Sequence, residues 1–401
     1  MNFLKRSLNT QLIFLGQAVV SGGNFITTVL MARTMNVIEF GEFSSLWLVV
    51  LFSSSIAMAL FVFPMMSNYS QVETKNQMRF IVGTLWTLIY AGVIWLIFCI
   101  SIYTTLVTLN FDASASLIMP VAICVIGINI QDFSRRALIT LGSSSLALLS
   151  DGITYSLRLI GLALLWYTSN LNIVYALIVF SISAISGASI LFFSISIKNN
   201  WHNDRKFSWE INCSSAKWLL PSGLMQWTSI NLFITAAVFF ISPAAVGVIR
   251  ICQSLLAVLN VVIQSAESIV SLNASKIFMS TSNHGLARYI VKVSAFGSIP
   301  FIFLSIICLL FGSDIIEMIY GAEYAKISSS SLTIYSIAYI FVFLVIPIRA
   351  GLRTTAQTRT WFNANLASSI FSISIVYYIE SNYGVYGAVM GILAAYLVLI
   401  M

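Results

Sequence analysis

Apolar stretches of around twenty residues follow one another down the whole chain, parted by short polar breaks. A stretch of ~20 apolar residues is long enough, as a helix, to cross ~30 Å of hydrocarbon. No water reaches the backbone there, so such stretches satisfy their own amides and are helical. The pattern predicts helices near 11–32, 43–66, 80–107, 116–139, 145–168 and 171–197. A polar stretch runs from Lys198 to Lys217, and beyond it come helices near 218–241, 244–275, 287–311, 329–352, 359–380 and 384–401. The expected fold is therefore all-α: a polytopic integral membrane protein of about 12 transmembrane helices. It divides into a six-helix lobe over 1–197, a cytoplasmic linker over 198–217 and a second six-helix lobe over 218–401.

Composition agrees with that reading. Apolar residues make up 59% of the chain and charged residues only 8%, against roughly 25% charged in a soluble domain. The net charge of +7 does not point to nucleic acid, because the basic residues sit in short loops between apolar stretches. With the N-terminus inside, the inner loops and helix ends hold Lys5, Arg6, Lys75, Arg79, Arg135, Arg136, Lys198, Arg205, Lys206, Lys217, Lys276, Arg288, Lys292, Arg349, Arg353 and Arg359, sixteen of the twenty Lys and Arg. Arg33 and Lys326 fall outside, Arg158 and Arg250 fall within helices, and Asp112, Asp314, Glu317, Glu323 and Glu380 are expected in outer loops. That asymmetry predicts cytoplasmic N- and C-termini. The five cysteines have no paired spacing and the two histidines lie in polar loops, so no metal or cofactor is expected. Lys5-Arg6 precedes an apolar stretch too long for a cleaved signal, which reads as an uncleaved first helix.

The two sets of helices share short patterns in the same order. Asn36-Val37 with Phe40-Gly41 matches Ser242-Pro243 with Val246-Gly247, and Arg135-Arg136 matches Gly351-Leu352-Arg353. Asn172 to Leu177 matches Tyr383 to Ala388, and Asn24 matches Asn231. With six helices per half, such a repeat is parallel, about an axis along the membrane normal.

Several of these segments carry a family resemblance. Ala32-Arg33, Phe40-Gly41-Glu42-Phe43, the run Gln131-Asp132-Phe133-Ser134-Arg135-Arg136-Ala137-Leu138, Asp151 and Tyr383-Gly384-Val385-Tyr386-Gly387-Ala388 make the chain resemble the oligosaccharide flippases of the O-antigen type. These belong to the superfamily that includes the multidrug and toxic-compound extruders. Val248 departs from the resemblance, where the family commonly has an aromatic residue. The resemblance implies two lobes around a central cavity and translocation of an undecaprenyl-pyrophosphate-linked glycan for surface polysaccharide synthesis. The implied partners are the lipid-linked oligosaccharide, membrane lipids, a polysaccharide polymerase and a chain-length regulator. No nucleic acid, catalysis or cofactor is implied.

Polar residues inside membrane helices usually face protein or a water-filled cavity. In the predicted eighth helix, Arg250, Gln253, Asn260, Gln264, Glu267 and Ser271 fall on one face at ~100° per residue. This stripe reads as a cavity wall for sugar hydroxyls, or else as polar glue between helices. In the first helix Gln17, Ser21, Asn24 and Thr28 make a narrower line, with Asn24 its foremost candidate for substrate contact. Arg158 shares a face with Asp151; it suits a pyrophosphate, or it pairs with Asp151 or Asp132. Asp132 stands three and four residues from Arg135 and Arg136, the spacing of a local ion pair. Arg135, Arg136, Arg349 and Arg353 together form a candidate entry ring at the cytoplasmic side, unless they are only topological charges; Arg33 and Arg250 form a candidate exit. Asp132, Asp151 and Glu267 are the ion-coupling candidates.

Two rivals stand. A drug or cation exporter of the same architecture should show unpaired acids in its helices. A membrane-bound glycan polymerase, ligase or acyltransferase should show a large outer loop or a catalytic cluster, and the longest outer connection, near 312–328, contains no histidine.

Overall fold

The short polar breaks write the helix starts. At the first, Asn36 Oδ1 accepts from the Glu39 amide at 2.9 Å while Glu39 Oε2 accepts from the Asn36 amide at 3.3 Å. This reciprocal pair satisfies two amides that a helix N-terminus leaves open. Ser242 does half of the same work later, its hydroxyl accepting from the Ala245 amide at 3.3 Å ahead of Pro243. Asn172 caps a third start by accepting from the Tyr175 amide at 2.9 Å.

The computed structural model describes residues 2–109, 112–195, 201–355 and 357–401, and no strand occurs among them. The helices are α1 (Asn2–Thr34), α2 (Val37–Ala57), α3 (Phe63–Asn68), α4 (Gln77–Thr108), α5 (Asp112–Thr140), α6 (Ser144–Tyr167) and α7 (Ile173–Ser194). They continue with α8 (Trp201–Phe240), α9 (Pro243–Leu256), α10 (Asn260–Gly297), α11 (Ile299–Tyr320), α12 (Ala322–Thr354) and α13 (Thr358–Ile400). Among the described residues, nine helical segments are long and apolar enough to cross a membrane. The protein is a multi-pass integral membrane protein.

Three places depart from regular helix. Between α2 and α3 the chain widens into a π turn, Met58–Val62. Pro64 comes just after it and has no amide to offer Leu60, four residues back, which is where a helix loosens. A single 3-10 turn, Ala257–Leu259, separates α9 from α10. Gly384 breaks α13 with φ 56° and ψ −136°, a conformation only glycine adopts at little cost. The break parts the two last predicted helices. A fourth reversal hides inside α10. Glu267 contacts Arg349 and Ile290 abuts Gly351, yet a straight helix would hold residues 267 and 290 about 34 Å apart. The chain therefore doubles back between them, which recovers the predicted eighth and ninth helices.

The chain forms two compact units. One comprises Met1–Thr27 and Leu46–Leu224, the other Thr28–Ser45 and Met225–Met401. In the first, α5 packs against α4, α6 and α7, and Met65, Phe80, Phe133 and Leu138 are fully buried in its core. In the second, α12 packs along α10 and α11, with Phe301 stacked on Phe343 at 4.9 Å between centroids. Lipid tails are as apolar as these side chains, so close packing rather than escape from water holds such helices together.

The polar stretch expected as a linker is helical over its described part, Trp201 onward, and continues α8. It docks within the first unit: Arg79 Nε donates to Asp204 at 2.7 Å and Asn212 Nδ2 donates to Thr84 at 3.2 Å. Residues 196–200, with Lys198, lie outside the described residues.

Candidate functional site

In the first unit the polar side chains of α1, α5 and α6 converge. Asp151 is buried and receives Arg135 Nε at 2.8 Å and Gln131 Nε2 at 3.3 Å. The same Arg135 donates to Gln17 Oε1 on α1 at 3.1 Å. Asp132 instead accepts from Ser54 on α2 at 2.8 Å. The local pairs expected between Asp132 and Arg135 or Arg136 therefore do not form, because α6 brings Asp151 to Arg135 and α2 brings a hydroxyl to Asp132. Arg136 stands over the Phe63 ring at 5.9 Å.

Arg158 takes neither of the acids offered as its partners. Its side chain is 4% exposed, Nη1 donates to Asn24 Oδ1 at 3.4 Å, and Nε has no partner. The rings of Tyr155 and Phe180 face its guanidinium at 4.8 and 4.3 Å, and Trp47 backs Phe180 at 5.1 Å. Ring contacts offset ~0.5–2 kcal/mol of a cation's burial, well short of the several kcal/mol that removing it from water costs.

The second unit repeats the theme. Arg250 is half-buried and makes no ion pair or hydrogen bond among the described residues. Ser254 and Tyr320 share a hydrogen bond, and the Tyr335 and Tyr339 rings lie 5.7 Å apart. Further along, Glu267 binds Arg349 at 2.6 Å and Arg353 at 3.7 Å, and Arg349 lies over Trp361 at 5.8 Å.

Comparison with solved structures then places this architecture. The lipid II flippase MurJ in an inward closed conformation superposes with a TM-score of 0.75 at 17% identity, over 98% of this chain and 86% of that one. An inward-facing multidrug resistance MATE family transporter of the MOP superfamily gives 0.72 at 12% identity, over 96% and 93%. The MATE multidrug transporter DinF-BH in complex with R6G gives 0.70 at 15%, over 100% and 94%. The fold is that of membrane flippases and exporters. No family model matches the sequence, and no curated protein matches it. The structural neighbours are transporters, not enzymes.

Within this transporter fold several expected site residues are already engaged. Arg135 is committed to Asp151, and Arg349 and Arg353 to Glu267, so among the described residues Arg136 alone of the four entry candidates makes no direct ion pair. Arg33 donates from Nε to the Ile319 carbonyl at 2.6 Å and from Nη2 to the Met318 carbonyl. It closes the C-terminus of α11, where carbonyls lack partners. The 3-10 turn before Asn260 winds at ~120° per residue and adds ~60° of rotation, which keeps Arg250, Gln253, Asn260 and Glu267 within about a third of the circumference. The Gln264 side chain lies outside the described residues.

The sequence reading missed Glu380. Expected in an outer loop, it lies in α13, 1% exposed, and both carboxylate oxygens are buried without a partner among the described residues. The helix continues past it to Gly384. Its signal in the sequence is slight: one acid at the end of an otherwise uncharged stretch.

Proposed function

We propose that this protein is a flippase that carries an undecaprenyl-pyrophosphate-linked oligosaccharide repeat unit across the bacterial inner membrane by alternating access of two lobes, for O-antigen or capsule synthesis. One observation carries the reading: buried Arg158 and half-buried Arg250, one in each unit, are cations within helices that have no acidic partner among the described residues. A guanidinium fork matches phosphate oxygens, and a likeness of fold to a lipid II flippase supports the same substrate class. Asn24, Gln253, Asn260 and Gln264 would contact the sugars, Glu267 would hold the basic residues at one end, and Arg136 would meet the head group on entry. Shielding each sugar hydroxyl from hydrocarbon removes a desolvation cost of a few kcal/mol. In this scheme both termini are cytoplasmic, and a polymerase and a chain-length regulator receive the product.

A second reading is a cation exporter, and one observation favours it: Glu380 is a buried helical acid with no partner among the described residues, the kind of group such a protein needs. Asp132, Asp151 and Glu267 already have hydrogen-bonding or ionic partners, which leaves Glu380 the ion-coupling candidate under either reading. Deleting the gene and following the undecaprenyl-pyrophosphate pool by mass spectrometry separates the two. Cytoplasmic accumulation of a complete glycan repeat, reversed by wild type but not by Arg158→Ala or Arg250→Ala, supports the flippase. An unchanged pool with altered drug sensitivity moves the protein to the exporter reading.

A further inference from the structure

We propose that the open pocket between α3 and the first half of α8 holds a sugar ring of the translocated glycan, stacked on Trp218. The inference rests on the flippase reading and adds to it a place for the saccharide, apart from Arg158 and Arg250. The pocket has a volume of about 650 Å³ and is lined by Phe63, Met66, Ser67, Ser215, Trp218 and Leu219, all within the first unit. Trp218 is 73% exposed and Phe63 is 44% exposed. Both indole and phenyl rings therefore line open space rather than packed core.

Three features select a saccharide. A sugar ring has an apolar C–H face and a rim of hydroxyls, and aromatic faces attract C–H groups through their negative π surface. The pocket supplies that face, and it supplies the hydroxyls of Ser67 and Ser215 for the rim. Ser67 donates its proton to the Pro64 carbonyl at 3.1 Å, so its oxygen is left to accept. Cations stand beside the aromatic wall, with the Arg136 guanidinium 5.9 Å from the Phe63 ring and exposed Lys217 next to Trp218 in the chain. A lipid tail would have no use for the cations, and a bare phosphate none for the rings. A glycan carrying a pyrophosphate uses both.

The walls are also fixed in position. Asn68 on α3 donates to the Ile211 carbonyl at 3.4 Å, to Asn212 at 3.3 Å and to Ser215 at 3.5 Å. Asn212 in turn donates to Thr84 on α4 at 3.2 Å. This buried amide ladder ties α3 and α4 to α8, so the two sides of the pocket keep their spacing. A tryptophan serving only the membrane interface needs neither a facing wall nor a brace behind it.

The test uses the full chain, purified in detergent, and two probes: octyl pyrophosphate carrying an N-acetylhexosamine, and octyl pyrophosphate alone. Wild type is expected to bind the sugar-bearing probe roughly tenfold more tightly. Trp218→Ala should abolish that preference while leaving affinity for octyl pyrophosphate unchanged, which also shows the variant is folded. Trp218→Phe should keep most of the preference. Equal binding of both probes by wild type, or a preference that survives Trp218→Ala, overturns the sugar site and leaves the flippase reading standing. Failure of wild type to bind either probe overturns the flippase reading and the sugar site with it.

Discussion

Gly41 and Gly247 pack backbone against backbone: a Cβ placed on Gly247 would stand 3.2 Å from the Gly41 Cα and 3.1 Å from the Phe40 ring. Each is the fifth residue of its helix, α2 or α9, and each helix is capped by a polar residue, Asn36 or Ser242. The contact lets the α1–α2 turn close on the α8–α9 turn, with Phe40 set edge-on to Tyr324 at 6.0 Å. A Cβ on Gly41 would meet the Pro243 carbonyl directly. Gly41→Ala is therefore expected to force backbone apart and cost ~1–3 kcal/mol, and Gly247→Ala less, because there the neighbours need give only slightly. Thermal unfolding in detergent of the two variants checks the order.

Asp151 and Arg135 should behave as a buried pair. Asp151→Asn leaves Arg135 embedded without its anion, and the expected loss is ~3–5 kcal/mol. Replacing both, Arg135→Met with Asp151→Leu, is expected to restore most of that stability, because no uncompensated charge then remains. A double variant as unstable as Asp151→Asn would mean that packing, not charge pairing, makes this site.

Arg158 should matter to transport more than to folding. Arg158→Met keeps the contacts with Tyr155 and Phe180 and removes the cation, so the protein is expected to unfold at or above the wild-type temperature. Translocation of a lipid pyrophosphate in proteoliposomes should drop at least ~10-fold, as one charge-assisted bond of ~1.5–3 kcal/mol is lost. Arg158→Lys should recover only part of the rate, since an ammonium lacks the planar fork.

Glu380 offers a test of coupling. Glu380→Gln keeps shape and polarity, so expression and unfolding temperature should stay near those of wild type. Transport driven by an imposed proton gradient should lose its dependence on that gradient. Proteoliposome flux with and without the gradient decides it; a gradient response retained by Glu380→Gln assigns coupling elsewhere.

Much of the membrane architecture is legible in the order of residues, because whether a segment crosses a bilayer depends on its own length and apolarity. The match between Asn36–Gly41 and Ser242–Gly247 is likewise legible as a repeat, but its meaning is not. Only the fold shows that both polar residues are helix caps and that the two glycines touch. The first half of α8 misled in the opposite direction: Lys, Asn and Asp in series read as a loop, yet Asp204 and Asn212 find partners on α4 and the stretch is helix.

The candidate site was legible as a set of residue types and not as a set of partners. Spacing of three and four residues offers Asp132 to Arg135 and Arg136, whereas the fold gives Arg135 to Asp151, sixteen residues away, and sets Arg158 against Asn24, 134 residues away. Residue order alone is enough to make this an all-helical membrane protein with charged groups among its spans, since hydrocarbon imposes that locally on any such chain. Which arginines are neutralised and which stand without an anion depends on the packed helices, because in a membrane interior a charge is settled by whatever group a neighbouring helix brings within a few ångströms.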